Sequence, residues 1–131
     1  MAVIGRPINP AAIATPQKLM GQLRPATTVA AAAWTAPYFG QYNIGLIHMV
    51  NVSTSQSAEV SVYHDVTGAV YDEDTALVYK YVLEPGDILQ LYGEDQITDY
   101  RNAGSIGVQS SVPSIVNFRV YGSQEGETVL P

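Results

Sequence analysis

The chain has 131 residues, of which 47% are hydrophobic and 14% are charged, and it contains no cysteine. This length suits one domain with a core of its own, and the apolar content excludes an acidic disordered tail or a coiled coil. Without cysteine there can be no disulfide, no thiolate nucleophile and no metal site built on sulfur.

The net charge of −6 at pH 7 conceals an uneven distribution along the chain. Residues 1–58 hold three basic residues and no acid, a charge of +3, whereas residues 59–131 hold all 12 acids and three basic residues, a charge of −9. An acidic body repels phosphate backbones and the basic residues are too sparse for a patch, so we expect no nucleic-acid partner. The longest apolar run, at 29–34, is too short to span a bilayer, so we expect no membrane partner.

Residues 1–16 are predicted to form an extended N-terminal arm. Five of the eight prolines fall within the first 37 residues, where they remove backbone donors and favour extended or turn geometry. The arm is too apolar for a solvated linker and lacks helical periodicity, which indicates that it lies against another surface. Its candidate contact residues are Ile4, Pro7, Ile8 and Ile13.

From residue 17 onward, short segments rich in branched and aromatic residues alternate with Gly, Pro, Ser, Thr and Asn, which is typical of strands joined by turns. The predicted strands cover 17–23, 27–35, 43–52, 58–66, 76–83, 88–92, 105–109 and 114–121. This spacing predicts an all-β domain over 17–122, an antiparallel β-sandwich or jelly roll of about eight strands. Residues 123–131 are predicted to be a loose C-terminal tail.

A first hairpin is predicted across the loop 53–57, with Val52 opposite Ala58. The face assigned to the core consists of Ile44, Leu46, His48, Val50, Val52, Ala58, Val60, Val62, His64 and Val66. The reverse face, assigned to a mixed surface, consists of Ile47, Met49, Asn51, Glu59, Ser61, Tyr63 and Asp65.

A second hairpin is predicted across residues 84–87, where Pro85 and Gly86 suit the two central positions of a type II turn. Both faces of this hairpin are apolar, whereas a free antiparallel sheet normally shows water one polar face. We therefore expect a neighbouring subunit to cover it, with cover by the arm or a loop of the same chain as the alternative. The candidate contact residues are Val78, Val82, Leu89 and Leu91.

Two clusters could bind a metal ion. The imidazoles of His48 and His64 would share a face, but no third ligand is placed beside them, so partly buried histidines are the favoured interpretation. The run Asp72, Glu73 and Asp74 lacks the spacing of a calcium loop, so a solvated loop is favoured there. No nucleotide-binding, hydrolase or metalloprotease motif occurs, and we expect neither an enzyme nor a cofactor.

The segments IGLIHMVNVS (44–53), AEVSVYH (58–64), TALVY (75–79), LEPGD (83–87) and FRVYG (118–122) lie within residues 28–122, about three quarters of the chain. This stretch resembles small β-sandwich virion proteins of tailed DNA bacteriophages, of the capsid decoration or cement type. The resemblance implies a homotrimer on the capsid exterior that clamps neighbouring major capsid subunits with its base and its arm.

The acidic body fits a position away from packaged DNA, and the weakly basic arm fits an acidic neighbour. A receptor-binding or carbohydrate-binding domain of a tail or fibre is the alternative. In that case an aromatic platform would stack sugars, and its candidate residues are Tyr71, Tyr79, Tyr81, Tyr92 and Tyr100.

Overall fold

The computed structural model describes residues 3–4, 18–37, 41–99 and 104–125. These residues form nine strands and one short 3₁₀ helix, Glu73–Thr75. The strands are β1 Val3–Ile4, β2 Lys18–Leu23, β3 Ala31–Thr35, β4 Gln41–Asn51, β5 Ala58–Asp65, β6 Ala76–Leu83, β7 Ile88–Asp99, β8 Ser105–Ser110 and β9 Val116–Glu125. Within the described ranges, no helix has the length and hydropathy needed to cross a membrane.

The strands form two sheets packed face to face. Sheet A has the order β1-β7-β4-β9-β2, and sheet B has the order β3-β8-β5-β6. All neighbours are antiparallel except β1 and β7, which are parallel over two residues. Six connections pass from one sheet to the other, namely β2 to β3, β3 to β4, β4 to β5, β6 to β7, β7 to β8 and β8 to β9, whereas β5 to β6 stays within sheet B. This order is that of a jelly roll, which confirms the predicted fold class.

The core lies between the two sheets. Its buried apolar residues are Ile44, Ile47, Met49, Ala58, Val60, Val62, Leu83, Leu89, Ile106, Val108, Val116, Phe118 and Val120. Burying one side chain of the size of Leu or Phe stabilises a fold by about 1.5–3 kcal/mol. This is the main reason why alternate residues of each strand are branched or aromatic.

All eight predicted strands form, and their ends differ from the prediction by at most four residues except in β7, which runs seven residues beyond its predicted end at 92. Both predicted hairpins are wrong. Strands β4 and β5 lie in opposite sheets, as do β6 and β7, so Val52 does not pair with Ala58 and Leu83 does not pair with Ile88. The turn at 84–87 does form, with Gly86 at φ +80° and the Asp87 N–H donating to the Glu84 carbonyl at 2.9 Å. The local turn was therefore predictable, although it joins two sheets.

The face assignment of β4 is right for Ile44, which is in the core, but wrong beyond the bulge that follows it between Ile44 and Leu46. Ile47 and Met49 are 1% and 0% exposed, whereas the alternating residues Leu46, His48 and Val50 lie on the half-buried outer face of sheet A. The assignment is confirmed within β5, since Val60 and Val62 are in the core and Tyr63 lies on the outer face of sheet B. It is wrong for the two valines beside the strands, because Val52 and Val66 are exposed.

Four of these connections, β2 to β3, β4 to β5, β6 to β7 and β8 to β9, meet at one end of the sandwich. The N–H of Asn51 donates to the Asp87 carbonyl, and the N–H of Val52 donates to the Ile115 carbonyl. The N–H of Ser114 donates to the carbonyl of Pro25 in the β2–β3 connection. We call this end the joined end, because its loops are hydrogen-bonded to one another.

Of the predicted arm, the structure describes β1, in which Ile4 pairs with Leu89 of β7. Pro7, Ile8 and Ile13 lie outside the described residues. At the other terminus, β9 continues to Glu125, so the first three residues of the predicted tail, 123–125, belong to this strand.

Candidate interaction surface on sheet B

Exposed apolar side chains are concentrated on β6 and the loop before it. Of the eight large apolar side chains that are exposed in the described part of the chain, five lie between residues 66 and 82. They are Val66, Val70, Leu77, Tyr79 and Val82. We call these five residues the β6 surface. An apolar patch of this kind beside polar residues is typical of a surface that binds another protein.

A bulge in β6 creates part of this surface. Val62 of β5 pairs with Val78, but Val60 pairs with Tyr81, so β6 has one extra residue. At the bulge, the backbone of Lys80 takes a left-handed conformation with φ +54°, and the Lys80 N–H donates to Ser61 Oγ at 2.9 Å. The bulge and the lysine both protect this sheet edge against strand addition. A partner would therefore bind the β6 surface through side chains.

An open cleft of about 520 Å³ adjoins the β6 surface. It lies on the outer side of sheet B, between β6, β8 and the loop that precedes β6. Its lining residues are Tyr63, Tyr71, Asp72, Glu73, Asp74, Tyr79 and Gln109. The cleft thus combines aromatic rings, one amide and three carboxylates.

Tyr71 is fixed in this cleft by three contacts. Its ring stacks on Tyr63 with the centroids 5.7 Å apart, and its hydroxyl is 2.6 Å from Ser105 Oγ. It also lies against Gly107, where an added Cβ would come within 2.5 Å of the ring. Burial raises the pKa of the Tyr71 phenol, so it stays protonated at neutral pH.

The start of the loop is held by Asp65, at the end of β5. Its carboxylate accepts hydrogen bonds from the backbone N–H groups of Thr67 and Val70, at 2.9 and 2.8 Å. These bonds hold the pKa of the Asp65 carboxyl below its usual range. The exposed position of Val70 is therefore set by a charged anchor five residues earlier in the chain.

The carboxylates at 72–74 have different roles. Asp72 caps the 3₁₀ helix by accepting from the N–H of Asp74 at 2.9 Å, while Thr75 Oγ1 accepts from the N–H of Asp72. Glu73 and Asp74 project from this turn as exposed side chains. No group of three or more possible metal ligands occurs among the described residues, these acids included.

The predicted sugar platform is not assembled as proposed. Tyr71 and Tyr79 line the cleft, but Tyr81 packs against the core and Tyr92 lies in β7 of sheet A. One face of the Tyr79 ring is covered by Lys80, whose Nζ is 5.2 Å from the centroid. Tyr100 lies outside the described residues.

The predicted histidine pair is separated. His48 is in sheet A and His64 is in sheet B, so the shared face on which a metal site depended does not exist. His48 pairs with Gln90 and Arg119 in the neighbouring strands. Burial, with a smaller contribution from the Arg119 charge, lowers the pKa of the His48 imidazole.

The predicted contact residues of β6 and β7 do not share one face. Leu89 is 2% exposed and belongs to the core, and Val78 and Leu91 pack against it. Only Val82, at 48%, is exposed. The second apolar face was an artefact of placing β6 and β7 in one sheet.

Sequence reasoning missed Tyr63 and Gln109 as lining residues of the cleft, and Ser105 as the buried partner of the Tyr71 hydroxyl. Tyr63 Oη donates to Gln109 Oε1 at 2.7 Å, across two strands that are 46 residues apart in sequence. In β5, Ser61, Tyr63 and Asp65 alternate with Val60 and Val62, and this pattern did predict an outer face. Nothing in the sequence predicts that β5 pairs with β8, which brings Gln109 to Tyr63.

No family model, curated protein or solved structure matches this chain.

Proposed function

We propose that this chain is a structural virion protein of the capsid decoration or cement type, which stabilises a phage head by binding across major capsid subunits on its exterior. It would act by binding, without a reaction, and as a homotrimer. The resemblance of residues 28–122 supports this proposal. The jelly-roll topology also supports it by analogy of fold, because viral capsid domains use the same strand order.

The observation that carries the proposal is the β6 surface. Three exposed apolar side chains lie on the edge strand β6 and two lie in the loop before it, which also carries the carboxylates at 72–74, and a bulge keeps that edge from adding strands. A protein interface needs such a combination, with an apolar centre to bury and charges that select the partner. Many copies that each bind weakly can stabilise a shell, because simultaneous contacts strengthen one another.

The test uses shells assembled from the major capsid protein of the phage that encodes the chain, prepared without the chain. Co-sedimentation with these shells measures binding. We expect the double variant Leu77→Ser/Val82→Ser to bind at least about tenfold more weakly, because it removes apolar area from the interface. The matched control is Val29→Ser/Val52→Ser, since these two valines are also exposed but lie elsewhere. Equal binding by both variants would remove the basis of the proposal.

A second candidate, a carbohydrate-binding tail or fibre domain, is favoured by the cleft. Tyr79 is 45% exposed at its rim, and Gln109, Glu73 and Asp74 offer hydrogen-bonding groups for sugar hydroxyls. Glycan-array binding and calorimetry of the purified chain distinguish the two candidates. A glycan ligand that binds the wild type and is lost in Tyr79→Ala would select the second. Shell binding without glycan affinity would select the first.

A further inference from the structure

Lys80 lies at the point where the exposed side of β6 changes phase. Before the bulge, Leu77 and Tyr79 are exposed. After it, Tyr81 packs against the core and Val82 is exposed. An unbroken strand would place Tyr81 on the side of Leu77 and Tyr79, because alternate residues of a strand face the same way. The bulge therefore brings Val82 to the exposed side and completes the part of the β6 surface that the strand supplies.

The backbone conformation of Lys80 is unfavourable for a lysine. Its φ of +54° lies in the left-handed region, where the Cβ comes too close to the following carbonyl oxygen, and glycine and asparagine adopt this region more readily. The bulge uses the backbone N–H of Lys80, which donates to Ser61 Oγ, and every residue except proline has this group. The bulge therefore does not need the lysine side chain.

The Lys80 ammonium forms no ion pair with any residue in the described part of the chain. Its Nζ lies 5.2 Å from the centroid of the Tyr79 ring, a cation–π contact. The described acids on the outer side of sheet B include Glu59, which lies opposite Val82, and those at 72–74. None of these carboxylates forms an ion pair with Lys80. Its charge is therefore not neutralised by the acids of its own sheet.

Burial of the β6 surface by a partner would also enclose this charge. Lys80 lies between Tyr79 and Val82 along β6, so a partner that covers both of these side chains also covers the ammonium. A buried ammonium is costly unless an opposite charge accompanies it. A partner that packs apolar residues on the β6 surface therefore needs a carboxylate beside them.

We propose that Lys80 is the residue through which the β6 surface selects its partner, and that the partner presents an aspartate or glutamate next to an apolar patch. This inference rests on the shell binding of the proposed function and deepens it by naming the charge that the major capsid protein must present. A lysine that acts only to protect the sheet edge against strand addition requires no such carboxylate. The two roles differ in the effect of removing the charge while the bulge is kept.

The test removes the charge and retains the backbone. Lys80→Asn keeps the N–H that donates to Ser61 Oγ and suits the left-handed conformation, so its Tm should be at least that of the wild type. We expect it to bind shells about tenfold more weakly at low salt, and its binding to depend less on salt, because one ion pair is lost. Lys80→Arg keeps the charge and should bind like the wild type. The matched control, Arg119→Gln, removes one positive charge from β9 in sheet A and should leave binding unchanged.

Carbodiimide cross-linking gives a second measurement, which does not depend on the stability of a variant. In the shell-bound wild type, mass spectrometry should find Lys80 joined to an aspartate or glutamate of the shell protein, and Lys80→Arg should lose this link. If Lys80→Asn binds like the wild type while Leu77→Ser/Val82→Ser binds more weakly, this inference alone is overturned. Equal binding by all of these variants, or a wild type that does not bind shells, overturns the decoration function as well.

Discussion

At the scale of single residues, the buried Asn51 side chain links three backbone groups by hydrogen bonds. It is fully buried at the joined end, where its Nδ2 donates to the carbonyls of Gln56 and Leu83 and its Oδ1 accepts from the N–H of Ser53. The Asn51 amide thus ties the β4–β5 connection to the end of β6 through its hydrogen bonds. The sequence showed only an Asn after an apolar run, and we assigned it to a mixed surface.

We expect Asn51→Ala to lower the free energy of unfolding by about 1–3 kcal/mol, because buried carbonyl and N–H groups would lose their partner. Urea denaturation measures this loss. The control is Asn117→Ala, which removes a more exposed hydrogen bond to Arg24 and should cost less than about 0.5 kcal/mol. If both variants lose the same amount, the joined end does not depend on this amide.

His48 makes stability depend on pH. Its pKa is lower in the folded chain than its ordinary value, so the unfolded chain binds more protons in the window between the folded pKa and about 6.5. Stability therefore falls as pH decreases through that window and is fully retained above it. We expect His48→Gln to flatten the dependence of Tm on pH between about pH 7 and the folded pKa. An unchanged slope in this variant would contradict the assignment.

Asp65 acts in a different pH window. Its folded pKa is depressed, so its stabilising contribution is present above its ordinary pKa of about 3.9 and is lost as pH falls through the lower folded value. We expect Asp65→Asn to reduce the acid-induced loss of Tm below about pH 4 and to leave the His48 window unchanged. It should also cost about 1–3 kcal/mol at pH 7, since two backbone N–H groups lose a charged acceptor.

At the scale of elements, the strands follow from local sequence but their partners do not. A segment such as 58–65 alternates apolar and polar residues whichever strand lies beside it, so its extent and its inward face were predictable. Residues 84–87 form the predicted turn in either topology, because Pro85 and Gly86 decide it locally. The sheet that each strand joins depends on contacts between residues far apart in sequence, and a single sequence does not display them.

Strand β4 shows why one face was inverted. Both of its alternating sets, Leu46 and Val50 against Ile47 and Met49, are apolar, so alternation could not select the inner one. The assumed hairpin with β5 then selected the wrong set. The same error produced the predicted second apolar face, and it hid the cleft, which needs β5, β6 and β8 in one sheet.

The cleft depends on one close approach between a strand and a loop. We expect Gly107→Ala to displace the Tyr71 ring and to cost about 1–3 kcal/mol, because the added Cβ would overlap a ring that Ser105 and Tyr63 hold in place. Thermal unfolding and tyrosine fluorescence measure the two effects. Gly68→Ala is the control, since its Cβ would meet only ordinary contacts. Undisturbed Tyr71 fluorescence in the first variant would show that the ring is not fixed.

At the scale of the whole molecule, the arm is predicted to act in binding and not in folding. Deleting residues 1–16 removes β1, which pairs with β7 over only two residues, and leaves the core residues in place. We expect the truncated chain to keep the far-ultraviolet spectrum of the wild type and to lose binding to shells. Undiminished co-sedimentation of the truncated chain would show that the arm has no part in binding.

The joined end and the loop before β6 lie at opposite ends of strand β5. The amide protons of Asn51, Val52 and Ser114 are held by carbonyls of other strand connections, so their exchange requires several connections to open together. The loop at 66–75 is held mainly by bonds within itself and to Ser105. Hydrogen-exchange rates should therefore increase from the joined end to the loop before β6. Under the proposed function, this difference would let the β6 surface reshape around a partner while the joined end preserves the sandwich.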